Sequence, residues 1–385
     1  MNSVGEFIWE HNEWPRFRYD TVQLVRALGH ARSLQGALLA HADTFSLVDQ
    51  RDLFVDEAIA TSEIEGETLD RERVRSSVAE HLGLPTAGMP VPDGKSDALV
   101  SVLLDATRNY DTPLTAERLF GWQAALFPTG YSGPIAVETG CWRRSMTPMH
   151  VVTGSMGRER IHFTAPPAER LDGEMQRFLS WWNGPSREMD GILRAGVAHL
   201  YFVTIHPFAD GNGRIARALT DMALAEDERS ARRLYSLSHR IHAVRSLYYR
   251  VLETVQRGNL DITEWLLWFV ETYSASLASA EGRIHRSRVI DRYYRQIAQV
   301  PLNDRQTKVM RKMIEAYPEG FTGGMTNRKY VSITGTSSES AKRDLADLVR
   351  NGLLQRGDAA GRSTYYVLPD PDPDAEGEPL TCQEL

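Results

Sequence analysis

Gly196-Val-Ala-His-Leu-Tyr-Phe-Val-Thr-Ile205 runs directly into His206-Pro-Phe-Ala-Asp-Gly-Asn-Gly-Arg-Ile-Ala-Arg217, and the join between the two decides the reading of the chain. The first ten residues have helical periodicity and predict a buried helix that delivers His206 to its end, where His-Pro breaks the pattern. Asp210-Gly-Asn-Gly213 then opens a second helix, Arg214 to about Glu226, whose first N–H groups are free and whose dipole favours an anion. Gly211 and Gly213 carry no Cβ, so backbone amides approach phosphate oxygens closely. Arg214 and Arg217 lie three apart and reach one ligand with charge-assisted forks. Asp210 offers a hard oxygen of the kind a nucleotide phosphate shares with Mg2+. His206 is the one group here whose ordinary pKa suits proton removal at neutral pH. The alternative for each residue alone is a core histidine and an ordinary turn; the seven positions together in this order predict a nucleotide-phosphate site.

The stretch His-x-Phe-x-Asp-Gly-Asn-Gly-Arg-x-x-Arg is complete here and resembles the signature of the Fic family. The resemblance implies transfer of AMP from ATP, with Mg2+, onto a Ser, Thr or Tyr hydroxyl of a protein, with release of pyrophosphate. It implies His206 as the base, Asp210 as the metal ligand, and Asn212 with the Gly211 and Gly213 amides as the phosphate cradle. Arg214 and Arg217 would take the outer phosphates, and Phe208 would anchor the loop to the core. Gly213 argues against the branch that phosphorylates its targets, which carries lysine there.

Upstream, Thr61-Ser-Glu-Ile-Glu65-Gly66 lies in a segment read as one helix from Leu53 to about Val74 and resembles the family's inhibitory motif. The resemblance implies that Glu65 pairs with Arg217 and denies it to the γ-phosphate. Glu63, Glu65 and Glu67 also fit a solvated helix face. The same carboxylate would suit removal of AMP from a modified protein, which stands as an alternative activity.

The chain has 385 residues, 42% hydrophobic and 25% charged, with a formal net charge of −7. Such a chain buries a large core and divides into two or three domains. No run of about eighteen apolar residues predicts a membrane span, and the acidic N-terminus is unlike a signal peptide. Cys141 and Cys382 are the two cysteines, which fits a reducing, cytoplasmic setting. The acidic balance gives no global footprint for nucleic acid.

The pattern predicts a mainly α fold: a Fic-type helical core with a small β-hairpin flap, an N-terminal helical region and a C-terminal winged-helix module. The expected domains are 1–90, carrying the inhibitory helix; 91–295, catalytic; 300–368, a winged helix-turn-helix; and 369–385, a disordered acidic tail. Residues 15 to 45 carry Val22, Leu24, Val25, Leu28, Leu34, Leu38 and Leu39 at helical spacing. Helices are also expected over Ser96 to Arg108 and Thr115 to Leu126.

Met149 to Thr153 and Arg160 to Thr164 alternate as strands across Gly154-Ser-Met-Gly157. In the family a hairpin here is the flap that pairs with the target polypeptide, which implies target contacts at Val151, Val152, Ile161, His162 and Phe163. Recognition through the backbone suits broad targets, the protein itself included. A plain structural hairpin is the alternative. Tyr248 and Tyr249 resemble the family's adenine-side wall, with Gln256 within reach of the base, although either tyrosine also suits a core. His150, His162, His239 and His242 show no constellation with carboxylates.

From Leu302 the pattern gives helices Asp304 to Tyr317, Thr326 to Val331 and Thr336 to Arg350, then a two-stranded wing. Lys342, Arg343, Arg350, Arg356 and Arg362 would meet a phosphate backbone, with Thr336, Ser337, Ser338 and Ser340 near base edges. Such a module equally docks proteins or forms a homodimer. A nucleotide-sensing DNA-binding regulator is therefore the second class of function.

Overall fold

A computed structural model of the chain describes residues 6–153, 160–317, 320–357 and 364–369. The expected hairpin turn at 154–157, Arg362 and the tail after Pro369 lie outside the described residues. The described part is mainly helical, with short antiparallel strand pairs, and divides into two compact units, 1–280 and 281–385. Among the described residues no helix is long and apolar enough to cross a membrane.

The first unit is built around α7 (Gly191–Ile205), which starts where Asp190 accepts from the Ile192 and Leu193 N–H groups. Residues 192–205 are all buried, as an all-round apolar helix requires. Rings of Trp14, Phe17, Phe178 and Trp181 close on Tyr201 with centroids 5.2–5.8 Å apart. Against α7 packs α8 (Asn212–Glu228).

Around this pair stand α1 (Thr21–Leu39), α2 (Leu47–Ile64), α3 (Arg71–His81), α4 (Gly94–Arg108), α5 (Ala116–Leu126), α6 (Leu171–Asn183), α9 (Leu237–Ala243), α10 (Arg245–Gln256) and the start of α11 (Thr263–Ala298). Two hairpins interrupt them: β1 (Tyr131–Ser132) with β2 (Ile135–Ala136), and β3 (His150–Thr153) with β4 (Arg160–Thr164).

The helix expected from Leu53 to Val74 is two helices. Ser46 caps α2 through a reciprocal pair with Asp49, so the helix begins earlier, at Leu47. It ends with Glu65 as C-cap because Gly66 turns left-handed, at φ +80°, and Asp70 caps α3 afresh. The apolar face expected on α1 also differs. Val22 and Val25 are 79% and 65% exposed, while Leu24, Ala31, Gln35 and Leu38 form the buried face.

A buried charge cluster holds α2 to the core. Arg233 donates to Asp221 of α8 at 2.6 Å and to Glu57 of α2 at 3.3 Å, and Glu57 also accepts from Ser236 and the Ser238 N–H. All three charged residues are buried, so each charge needs the others.

The second unit contains α12 (Asp304–Glu315), α13 (Asn327–Thr334), α14 (Ser338–Arg350) and the antiparallel pair β5 (Gln355–Arg356) and β6 (Tyr366–Val367). Val309, Met310, Met313, Met325, Tyr330, Leu345, Leu348 and Leu354 are part of its core. Asp344 accepts from Arg305, Asn303 and Tyr330 and so locks α14 to both other helices. Ser337 caps α14, Arg350 pairs with Asp347, and Arg356 donates to Thr364, while Lys342 and Arg343 are exposed.

Candidate active site

His206 is the C-cap of α7 and takes the left-handed conformation, φ 51° and ψ 58°, which is uncommon for a residue with a Cβ. The turn lifts its ring out of the helix while the backbone N–H still donates to Phe202 O at 3.0 Å. Nδ1 lies 3.2 Å from Val203 O, and a carbonyl only accepts, so Nδ1 carries the proton. Nε2 is then left with a lone pair. Burial holds the imidazole at about 4, well below its usual 6.5, so the ring is neutral at physiological pH.

The loop behind it is braced from within. Asn212 accepts from Phe208 N–H at 2.9 Å and donates to Phe208 O at 2.8 Å, so its side chain shapes the loop rather than facing the cavity. Phe208 is fully buried against Trp142, Phe120 and Phe202. Gly211, at φ +88°, is the N-cap of α8 and offers no side-chain cap, which leaves the first-turn N–H groups of α8 without that partner. Asp210 uses Oδ1 to accept from Gly211 N–H at 2.6 Å.

Over this open helix end sits the carboxylate of Glu65. Its Oε1 accepts from Arg217 Nη2 at 2.7 Å, and a Cβ at Gly213 would overlap the same oxygen. Arg217 also donates from Nε to Thr61 Oγ1 at 2.6 Å and from Nη2 to Thr61 O at 2.9 Å. Its Nη1 is buried with no hydrogen-bond partner, on the Gly213 side of the guanidinium. Burial disfavours the charge on Arg217, yet the Glu65 carboxylate, with Tyr248 and Tyr249, offsets it and its pKa stands above the ordinary arginine value.

Arg214 is engaged elsewhere: it stacks over Phe127 and pairs with Glu67 at 3.0 Å, and Glu67 pairs also with Lys95 at 3.0 Å. Of the two motif arginines, Arg217 therefore pairs with Glu65 and Arg214 with Glu67.

Glu65, Gly213 and His206 line a cavity of about 620 Å3 whose other walls include Tyr248, Tyr249, Gln256, Val151, Val152, His162 and Phe163. The cavity thus gathers most of the residues expected at a site, while Asp210, Gly211, Asn212, Arg214, Arg217 and Ile161 do not line it. Tyr248 is buried and Tyr249 half exposed; the Tyr249 hydroxyl donates to Ile64 O at 3.1 Å. Tyr248 O–H donates to His199 Nε2 at 3.0 Å. His199 Nδ1–H donates to Thr220 Oγ1 at 2.9 Å, whose own hydroxyl donates to Ala216 O. Burial holds His199 at about 3, so this relay is neutral and fixes the wall. Gln256 donates to Thr204.

The expected hairpin forms as an antiparallel pair, Val151 opposite Phe163 and Val152 opposite Ile161, with a bulge between Val151 and Val152. Phe163 packs edge-on against Phe7, whereas Val152 and Ile161 stay exposed. Arg257 donates to the carbonyls of Ile161 and His162 at 3.0 Å each. Two of the histidines read as structural or surface each meet one carboxylate: His162 Nδ1 meets Glu253 at 2.7 Å and His242 Nδ1 meets Glu63 at 3.3 Å. The partners lie far off in sequence, on α10 and α2, where spacing gives no sign of them. Arg143 and His199 escaped the sequence reading for the same reason, and Glu67, read there as part of a solvated helix face, pairs with Arg214 and Lys95.

Comparison with known families adds two matches. Residues 7–84 match a domain of unknown function, DUF4172, and residues 113–224 match the Fic/DOC family. The chain carries a Fic/DOC domain. A curated relative, protein adenylyltransferase fic-1 of Caenorhabditis briggsae, is 40% identical over 63 residues, 16% of this chain and 12% of that one. Protein adenylyltransferase Fic of Drosophila ananassae is 47% identical over 51 residues, 13% and 10% of the two chains. This chain therefore spans about a tenth of the length of those relatives. A Fic family protein from Desulfovibrio desulfuricans G20 superposes with a TM-score of 0.54 at 18% identity, covering 93% of this chain and 97% of that one. That likeness is one of fold, and it places this Fic/DOC domain in a mainly helical frame.

Proposed function

We propose that the protein transfers AMP from ATP to a Ser, Thr or Tyr hydroxyl of a protein and that Glu65 restrains it. One observation carries the reading. Arg217 is held by Glu65 at 2.7 Å with its Nη1 buried and unpartnered, at the uncapped start of α8. A buried donor without a partner is costly, and an anionic ligand oxygen at this helix end would satisfy it.

In the proposed step His206 Nε2 takes the proton of the target hydroxyl and the freed oxygen pair attacks the α-phosphorus of ATP. The bond from that phosphorus to the bridging oxygen breaks, and pyrophosphate leaves with the electron pair. Gly211 and Gly213 let the α8 amides approach the phosphates, and Arg217, once quit of Glu65, holds the outer ones. Among the described residues no cluster of three or more His, Cys, Asp or Glu could hold a metal by itself. A single carboxylate, Asp210, fits Mg2+, which keeps water and takes substrate phosphates as its other ligands. Bound there, Mg2+ would offset phosphate charge. Tyr248 and Tyr249 would flank the base, and the β3–β4 hairpin would register a target strand.

Glu65 lines the cavity together with His206, which also favours a second reading: the carboxylate helps a water remove AMP from a modified protein. The second unit, with its helix–helix–helix–strand–strand order, would serve as a winged-helix docking module for DNA, a protein or a second copy. The test is incubation with α-labelled ATP, Mg2+ and lysate, using wild type, Glu65→Gly and His206→Ala. Labelling by Glu65→Gly well above the His206→Ala background is expected; equal labelling sinks the transferase reading.

A further inference from the structure

We propose that Arg143 is a positioning residue that ties both legs of the β3–β4 hairpin to the backbone of the loop bearing His206. The inference rests on the transferase reading for its kinetic consequence, though not for its geometry. Arg143 lies in the segment leading into β3, is 4% exposed, and does not line the cavity. Its Nε–H donates to His206 O at 2.9 Å, its Nη2–H to Pro166 O at 2.5 Å, and its backbone N–H to Pro207 O at 2.9 Å. Pro166 comes just after β4, and Ala165 N–H still donates to Met149 O at the hairpin base. One guanidinium thus spans from the entry leg of the hairpin to its exit leg and grips the loop between α7 and α8.

The partners of this cation are all carbonyls, and no carboxylate lies within ion-pair distance of it among the described residues. A buried arginine without a counter-ion is costly, and burial alone pulls its pKa down to about 10. A merely space-filling position would favour an apolar side chain. The planar fork supplies two donors at a fixed angle, which lysine does not. What it fixes is a backbone that would not choose this shape: His206 is left-handed and precedes a proline, and both facts disfavour its conformation. Holding the His206 carbonyl sets where the imidazole points, and the Pro166 bond sets the hairpin against it. Base and target strand then share one reference frame.

The test uses the full chain in the Glu65→Gly background, with Arg143→Lys and Arg143→Gln. Expected is a fall in kcat of roughly 10- to 100-fold in both, the scale of a misplaced catalytic group, with ATP affinity by calorimetry changed less than about threefold. In Arg143→Lys the charge stays, so the pH profile keeps its acid limb while kcat falls; in Arg143→Gln the limb moves to higher pH as well. Unchanged kcat in both variants overturns the proposal, as does a parallel loss of kcat, ATP affinity and thermal midpoint. If Glu65→Gly is itself inactive the transferase reading fails, and NMR then decides the geometry. The His206 ring resonances should shift in Arg143→Lys, and in the unsubstituted protein the Arg143 Nε–H should exchange slowly with solvent. Unmoved ring resonances, or a freely exchanging Nε–H, overturn it.

Discussion

Glu65 and Gly213 exclude each other's side chains: the carboxylate of one fills the space in which any Cβ of the other would have to sit. The same carboxylate is 2.7 Å from Arg217 Nη2, so one group blocks a helix end and neutralises the cation beside it.

Removing that group should free both at once. Glu65→Gly is expected to raise labelling from ATP by about tenfold or more, the equivalent of about 1.4 kcal/mol of relieved competition. Glu65→Gln should give a smaller rise, because it leaves the bulk over Gly213. Initial labelling rates of the three proteins decide this.

Gly213→Ala should behave in the opposite way. A methyl group there occupies the place of either the carboxylate or a phosphate oxygen, so ATP binding measured by calorimetry should fall by at least about tenfold. Combining it with Glu65→Gly should not restore affinity. Recovery in the double variant would show that the glycine matters only to Glu65.

Burial lowers His206 to about 4 and His199 to about 3, from an ordinary 6.5. The unfolded chain therefore binds these protons first as pH falls, and folding stability rises with pH from about 4 to 6.5 through His206 and from about 3 to 6.5 through His199. Each group contributes a slope of up to about 1.4 kcal/mol per pH unit within its window. Urea midpoints of wild type and His199→Gln across pH 4 to 7 should diverge, the variant being flatter. Labelling by Glu65→Gly should stay level between pH 6 and 8, since His206 is already neutral there; a half-point near 6.5 would assign the step to an unperturbed histidine.

Arg233→Met should cost about 3–5 kcal/mol in urea unfolding, because it strands Glu57 and Asp221 as buried unpaired carboxylates. Adding Glu57→Gln and Asp221→Asn should recover much of the loss.

The loop from His206 to Arg217 was legible because its candidate groups are consecutive: His206, Asp210, Gly213 and Arg217 sit within twelve residues of one turn and helix start. Glu65 was legible by resemblance, although its place as a C-cap was not, since the stop at Gly66 depends on backbone handedness rather than on apolar spacing. Arg214 pairs with Glu67, and that assignment needed the packing of α2 on α8. The exposure of Val22 and Val25 was beyond periodicity, which gives a stripe but not which side of it meets a neighbour. His162 with Glu253 and Arg143 with Pro166 join residues 91 and 23 positions apart, where spacing carries no information.

Thr61 receives two of the three hydrogen bonds that Arg217 makes, and it stands on the same helix as Glu65. Under the proposed reading, α2 is a jig as well as a brake: it sets the guanidinium in place through Thr61 and masks it through Glu65. Cutting away the N-terminal region and changing Glu65 alone are then unequal perturbations, since the first discards the alignment that the second preserves.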